Sequence, residues 1–490
     1  MKALSEEQAP VADPKAAATF PAVAPGDEAT AARRELPRKL GLFSAVAVLA
    51  GSAIGSGIFR SPAGIATNIP DQGFYLLNWV IGGVLALSGA LTYAELAGAL
   101  PYTGGVFVYL REGFGRLPAF LFGWSELVII RASALGAVAT VFAEYLLRLL
   151  GVQNAAAVHY VAAGAVVVTA AFNILGINLG ALVQNLTTGA KYAALLIIVG
   201  AAFLIGPHHP AQVAVQSGAA TNGAVSITRF GLALVSVMWV YDGWADLTFV
   251  SGEVKRPERN LPLALILGTA SVIALFLLAN LSYLHLLDIH QISASKLVAA
   301  DAAFRVFGDA GVRFVSIAVM IAAFGTLNGS MMTGPRIFFA MADEGLFFKK
   351  VAAVHPRFKT PYVAILLAAV LAIIFVSVRT FEQLADTFVL AIWPFYAGGI
   401  AAIYVLRRRR PDLPRPYRTW GYPFTPLLFL VATLFLLGSA LADDVQYFSA
   451  RLSGAARTAS SSGAFLVAAI ILAGVPAYYI WTRVFRPQLK

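Results

Sequence analysis

Two short segments put unusual chemistry inside apolar runs. Gly51-Ser-Ala-Ile-Gly-Ser-Gly-Ile-Phe59 sets three glycines and two serines within seven positions. Each glycine weakens a helix interior by roughly 1 kcal/mol relative to alanine. Trp239-Val-Tyr-Asp-Gly-Trp-Ala-Asp246 places Asp242, Gly243 and Asp246 in a second run. A carboxylate in the middle of a spanning helix costs about 2.5 to 3.5 kcal/mol on insertion scales, so it needs a partner, a proton or water. Lys191, in QNLTTGAKYAALLIIVG, has no acidic neighbour in sequence. A buried ammonium of that kind either anchors on backbone carbonyls or acts through its charge, fixed or exchangeable.

Gly55 and Gly243 stand 188 residues apart, the length of five ordinary spans with their loops. That is the spacing expected of an inverted repeat, in which two broken helices face each other near the bilayer midplane. After the first break, exposed N–H groups and a positive dipole end suit a carboxylate. Before each break, free carbonyls and a negative dipole end suit an ammonium. A zwitterion with both groups on one carbon matches that arrangement. Close glycine packing of the small-xxx-small kind would explain either segment alone, but the paired spacing favours a site.

These segments must be held by membrane helices. Of 490 residues 59% are hydrophobic and 12% charged, with a mean hydropathy of +0.76, which a soluble domain with a charged surface rarely shows. A span needs about 20 apolar residues. About twelve such runs are expected, starting near Leu42, Phe74, Leu117, Ala156, Gln184, Phe230, Leu261, Val312, Pro361, Ala385, Phe424 and Ala464. The fold class is therefore an all-α integral membrane protein. Its expected divisions are a tail over 1–37, a first repeat over 38–206, a second over 228–406, and two last helices with a short C-terminus over 407–490.

Residues 1–35, rich in Ala, Pro and Glu and lacking a signal-peptide core, read as a disordered cytoplasmic tail. An even number of spans then leaves both termini inside a cell membrane. The Lys/Arg distribution agrees: 24 of the 36 basic residues fall in the expected cytoplasmic segments, 7 in outer loops and 5 in or beside spans. The formal charge of +11 thus reads as membrane orientation and lipid-phosphate contact rather than nucleic-acid binding.

The chain has no cysteine, six scattered His and no phosphate-cradling Gly-Lys-Ser/Thr loop. No cofactor, metal site, disulfide-linked partner or ATP-driven step is expected. No nucleophile, acid-base pair or metal set stands at plausible spacing, which argues against an enzyme.

At these residues the chain resembles the amino acid-polyamine-organocation superfamily and, within it, the bacterial type of the L-type amino-acid transporter family. The resemblance covers about Leu40 to Arg486. It rests on GSGIF (Gly55–Phe59), YAEL (Tyr93–Leu96) followed by PYTGG, WSELVIIR (Trp124–Arg131), YDGW (Tyr241–Trp244), EVKRPERNLP (Glu253–Pro262) and GTLNGSMMTGPR (Gly325–Arg336). It implies two inverted five-helix repeats with broken first and sixth helices plus two extra helices. It also implies sodium-independent amino-acid exchange or uniport by alternating access.

By that resemblance, the backbone and hydroxyl around Gly55, Ser56 and Gly57 hold a substrate carboxylate, and the carbonyls of Ala53, Trp239 and Val240 hold its amine. Trp239 matches the family's aromatic gate. Lys191 matches a lysine that fills the place of a sodium ion, with proton-coupled symport through Lys191 as the alternative. Tyr283 matches a tyrosine near that lysine, and Asn328 is a weaker match that helix packing explains equally. Asp242 stands where members accepting cationic amino acids carry an acid, so the expected substrate is a neutral amino acid with cationic ones admitted.

Departures stand at Ala245 and Thr248, where the family commonly has asparagines, at Gly252-Glu253, where it has a Glu pair, and at Arg60, usually apolar. Glu126 and Arg131 read as a structural pair. Animal members carry a cysteine between the third and fourth spans for a heavy subunit. The stretch from Leu150 to Val158 has none, so no disulfide-linked heavy subunit is expected. A non-transporting amino-acid receptor is the reading from another class.

Overall fold

The computed structural model describes residues 36–152, 154–206, 226–295, 297–453 and 463–485. The expected tail over 1–35 lies outside them. Every described element is helical, apart from one isolated backbone bridge between Leu40 and Val254.

The first apolar run yields two helices, α1 (Leu42–Ala53) and α2 (Gly57–Asn68). The second is α3 (Gln72–Ala99), whose first turn is capped by Asp71, accepting from the Phe74 amide at 2.8 Å. A short amphipathic α4 (Val106–Phe114) leads into the third run, built as α5 (Arg116–Ser125), a π turn over Glu126–Ile130 and α6 (Arg131–Leu149). Then come α7 (Ala155–Leu175) and α8 (Ile177–Leu204).

The sixth run breaks as the first does, into α9 (Ile227–Tyr241) and α10 (Asp246–Phe249). Beyond it lie α11 (Pro257–Leu286), two short helices α12 (Ile289–Ala294) and α13 (Val298–Phe307), α14 (Asp309–Thr333) and α15 (Pro335–Asp343). The chain closes with α16 (Tyr362–Val378), α17 (Phe381–Arg409), α18 (Phe424–Leu452) and α19 (Ala464–Ile480).

Ten helical stretches among the described residues are long and apolar enough to cross a bilayer, and α9 and α16 are shorter apolar helices. Eleven of the expected starts fall within four residues of an observed one. The fifth begins seven residues before Gln184, at Ile177, because Asn178, Gln184, Asn185, Thr187 and Thr188 dilute its hydropathy. Gln184, Asn185 and Thr188 point instead into the protein, where they hydrogen-bond to α1.

The two runs that carry the break and the π turn lie at the centre. Within Leu42–Asn68 and Arg116–Leu149, 78% and 83% of the most apolar window is buried, against 17% for Ala464–Val484. Peripheral helices turn Leu186, Leu204, Leu434 and Leu452 outward, the apolar face that lipid would cover. Ahead of α1, the amides of Lys39 and Leu40 donate to the Glu253 carbonyl at 2.8 and 2.9 Å, and the Lys255 amide donates back to Leu40 at 2.8 Å. This basic segment is thus tied by its backbone to the turn after α10, an attachment that a lipid-contact reading of its arginines and lysines does not foresee.

Candidate functional site

The two breaks meet. Gly243, at φ +108°, sits with its backbone so close to α1 that a Cβ there would lie 2.5 Å from the Ala53 nitrogen and 2.7 Å from the Ser52 carbonyl carbon. Only glycine fits such a backbone shape and approach. On the other side of the break, Gly57 faces Val240, whose Cγ2 and Cα would lie 3.0 and 3.2 Å from an added Cβ. The small residues seen in sequence therefore let two unwound segments touch through their main chains.

Between them is a small cavity, about 40 Å³ for the centres of water molecules, room for about three waters at roughly 10–15 Å³ each. Ala53, Gly55, Ser56, Gly57, Trp239, Val240 and Asp242 all line it. The seven residues expected around a ligand are thus brought together. Ser52, Arg131, Asp246, Thr326, Ser330 and Phe388 complete much of its wall.

Its polar ends are asymmetric. The amides of Ser56 and Gly57 make no backbone hydrogen bond, and the Ser56 hydroxyl is buried without a partner. These donors stand at the start of α2, where the helix dipole is positive. On the α1 side, carbonyls point the other way. Lys191 donates to the Gly51 carbonyl at 2.6 Å and to the Thr326 hydroxyl at 2.8 Å, and Thr326 lies 3.1 and 3.2 Å from the Gly51 and Ile54 carbonyls as a donor. Lys191 is fully buried behind the cavity rather than in its wall, and no carboxylate lies within ion-pair distance of it among the described residues. Its bonds to a carbonyl and a hydroxyl are the anchoring that its sequence context left open.

Tyr283 is not one of its partners. Its ring is buried on α11, and its hydroxyl has no hydrogen-bond partner. Asn328 accepts from Asn173 at 3.0 Å and donates to the Gly180 carbonyl at 3.0 Å and to Gln184 at 3.2 Å. It joins α7, α8 and α14 outside the cavity, as helix packing would have it.

Sequence reasoning missed Thr326, Asp246, Tyr396 and Phe388 as site residues. Asp242 accepts from the Tyr396 hydroxyl at 3.0 Å, and Asp246 from Thr333 at 3.1 Å. Thr326 and Thr333 lie within the GTLNGSMMTGPR motif, which is the signal that could have found them. Tyr396 and Phe388, on α17, carry no local signal. Glu126 and Arg131 do pair, Nε to Oε2 at 3.1 Å, because the π turn of Glu126–Ile130 lies between them. Arg131 nevertheless reaches the cavity wall.

Trp239 packs edge-on against Phe388 and Phe381, ring centroids 5.3 and 6.2 Å away. Arg60 is now accounted for: its guanidinium lies 4.1 Å from the Phe381 centroid and bonds Glu144 at 2.8 Å. Among the described residues no group of three or more His, Cys, Asp or Glu could hold a metal ion.

A family model described as amino acid permease matches residues 40–475. The serine/threonine exchanger SteT of Bacillus subtilis (strain 168) is 32% identical over 447 residues, covering 91% of this chain and 97% of that protein. The b(0,+)-type amino acid transporter 1 of Mus musculus is 32% identical over 409 residues, 82% of each chain. The cystine/glutamate transporter of Homo sapiens is 32% identical over 463 residues, 93% of this chain and 87% of that protein.

Proposed function

The chain belongs to the amino acid permease family, and from that premise we propose that it exchanges or passively passes amino acids across a cell membrane by alternating access, without sodium. It is a multi-span membrane transporter by family, not an enzyme. The observation that carries the reading is the meeting of two helix breaks around one cavity, with unbonded amides and a free hydroxyl on one side and chain carbonyls on the other. An α-carboxylate fits against Ser56 and Gly57, and an α-ammonium fits the carbonyls of Ala53, Trp239 and Val240. The names of the relatives, which are exchangers and amino-acid transporters, support the same substrate class.

The cavity has room for a few waters and not for an amino acid, so entry of substrate requires it to widen. Two five-helix repeats over 38–206 and 228–406, rocking about the touching breaks, would provide that motion. The Lys191 Nζ stands at the Gly51 carbonyl in the place that a sodium ion would otherwise take. The basic loops support a cytoplasmic side for both termini, and a chain without cysteine can form no disulfide to a partner subunit. The test is uptake of labelled amino acids into proteoliposomes with and without internal amino acid and sodium. Flux that ignores sodium supports the reading, and acceleration by internal substrate makes it exchange. A sodium requirement, or no flux of any amino acid, overturns it.

A further inference from the structure

The cavity wall carries more negative charge than a zwitterion answers. Asp242 and Asp246, four residues apart across the second break, both line it. Asp242 accepts from the neutral Tyr396 hydroxyl, and Asp246 from the neutral Thr333 hydroxyl. Arg131 in the wall gives two of its N–H groups to Glu126, at 3.1 and 3.4 Å, and its charge also acts on Asp242 and Asp246, so that one guanidinium stands against three carboxylates. Glu253, in the turn after α10, is matched by Arg336 at 2.9 Å. The Lys191 ammonium is held at the Gly51 carbonyl and Thr326 instead. The same wall holds the Ser56 hydroxyl, 1% exposed and without a partner, so the charged pocket is also built to receive a ligand.

Resting on the transport reading above, we propose that Asp242 and Asp246 act as one counter-charge site that carries either a proton or the basic side chain of a cationic amino acid. With a neutral amino acid bound, the pair keeps one proton. When arginine or lysine binds, its side chain takes the place of that proton, which leaves to the solution from which the substrate came. The loaded site then bears the same charge in both cases. Exchange of internal arginine for an external neutral amino acid therefore brings in one proton with each neutral molecule and moves no net charge. Asp246 is the decisive member because its negative charge, four residues away in the same wall, holds the proton on the pair when a neutral amino acid is bound; a lone Asp242 would give that proton up, and the neutral-loaded and cation-loaded sites would then differ by one charge.

The experiment uses the intact chain in proteoliposomes loaded with arginine and a pH-reporting dye, with labelled serine or leucine outside and the membrane potential set by potassium and valinomycin. The expected result is lumenal acidification of about one proton per neutral amino acid taken up, with a rate independent of the potential. Exchange that leaves lumenal pH unchanged and speeds or slows with the potential overturns the proposal while leaving amino-acid transport standing. Failure of serine and leucine to enter at all, with arginine as well retained, overturns the transport reading beneath it. In Asp246→Asn, the arginine-for-neutral exchange that remains should be proton-free and potential-dependent, the protons being counted per neutral molecule taken up. Unchanged proton stoichiometry in that variant overturns the pairing. Asp246→Glu should keep the proton.

Discussion

At the Gly51 carbonyl two donors converge, the Lys191 ammonium at 2.6 Å and the Thr326 hydroxyl at 3.1 Å, and Lys191 also donates to Thr326. Three groups from α1, α8 and α14 thus hold the end of α1 where its own hydrogen bonds run out. Because Lys191 stands behind the cavity, its loss should disturb the movement of α1 more than the contacts of the ligand. Lys191→Ala is expected to slow turnover ~10-fold or more while apparent affinity changes less than about threefold, since an interaction made outside the binding contacts enters the rate and not the ground state. Thr326→Val should do the same, and the double variant should be little worse than either single one, as shared networks are non-additive. Initial rates over a substrate series in proteoliposomes read both quantities. Gly57 makes the opposite prediction. A Cβ there meets Val240 at 3.0 to 3.2 Å, so Gly57→Ala should weaken substrate binding about tenfold and Gly57→Val should abolish it, overpacking costing about 1 to 3 kcal/mol. Scintillation-proximity binding to purified protein separates this from loss of fold, which size-exclusion chromatography monitors.

The helices differ in how much of them the sequence exposes to view. Apolar runs place the spans, because lipid permits few other sequences at that length. The glycines at 51, 55 and 57 and Gly243 mark the breaks at Ile54–Ser56 and 242–245. What stayed hidden was arrangement: α4, α12 and α13 are too short to register as spans, and α17 brings Tyr396 and Phe388 to the cavity from about 150 residues beyond the second break. Arg60 shows the same lack. In sequence it is a charge on a small-residue helix, whereas in space it ties α2 to α6 through Glu144 and to α17 through Phe381, which packs on Trp239. These contacts join three elements that must separate if the cavity is to open on that side. Arg60→Gln should therefore favour the open form. Since the chain has no cysteine, a single one in the cavity wall at Val138 can report it. Its reaction with a charged thiol reagent from the Arg60 side should speed up severalfold over the same cysteine in the Arg60 background, a partly exposed ion pair being worth about 0.2 to 1 kcal/mol. An unchanged rate would mean that the contacts among α2, α6 and α17 do not limit opening.

At the scale of the whole molecule, ion pairs join helices at both ends of the bundle among the described residues. Beside Arg60 lie its ion pair with Glu144 and the edge-on contact of Trp239 with Phe381. At the other end Glu95, 1% exposed on α3, accepts from Arg407 at 2.9 and 2.6 Å and from the Thr419 amide at 2.7 Å, with the Arg415 Nε 3.3 Å away. Nearby, Glu112 bonds Arg410 at 2.9 Å, and Arg111 joins both Glu112 and Glu344. The same arginines were visible in sequence as an orientation signal over Arg407 to Arg418, but their partners were not, since Glu95 precedes them by more than 300 residues. Positive charge concentrated there thus serves orientation and also binds α3 to α17 and to the loop after it. Two guanidiniums converging on one buried carboxylate make its charge the sensitive term, because removing one member of a buried set leaves the others unanswered at about 3 to 5 kcal/mol. Arg407 is 22% exposed and keeps some access to water, so the lower figure is the relevant one. Glu95→Gln should lower the midpoint of thermal unfolding in detergent by roughly 5 °C or more, read by tryptophan fluorescence, while Glu112→Gln, at a more open pair, should lower it far less. Adding Arg407→Leu to Glu95→Gln should recover part of the loss, because it removes one of the cations left without its counter-charge. If instead both single variants unfold with the parent, the network carries no net stability and its arginines act through orientation alone.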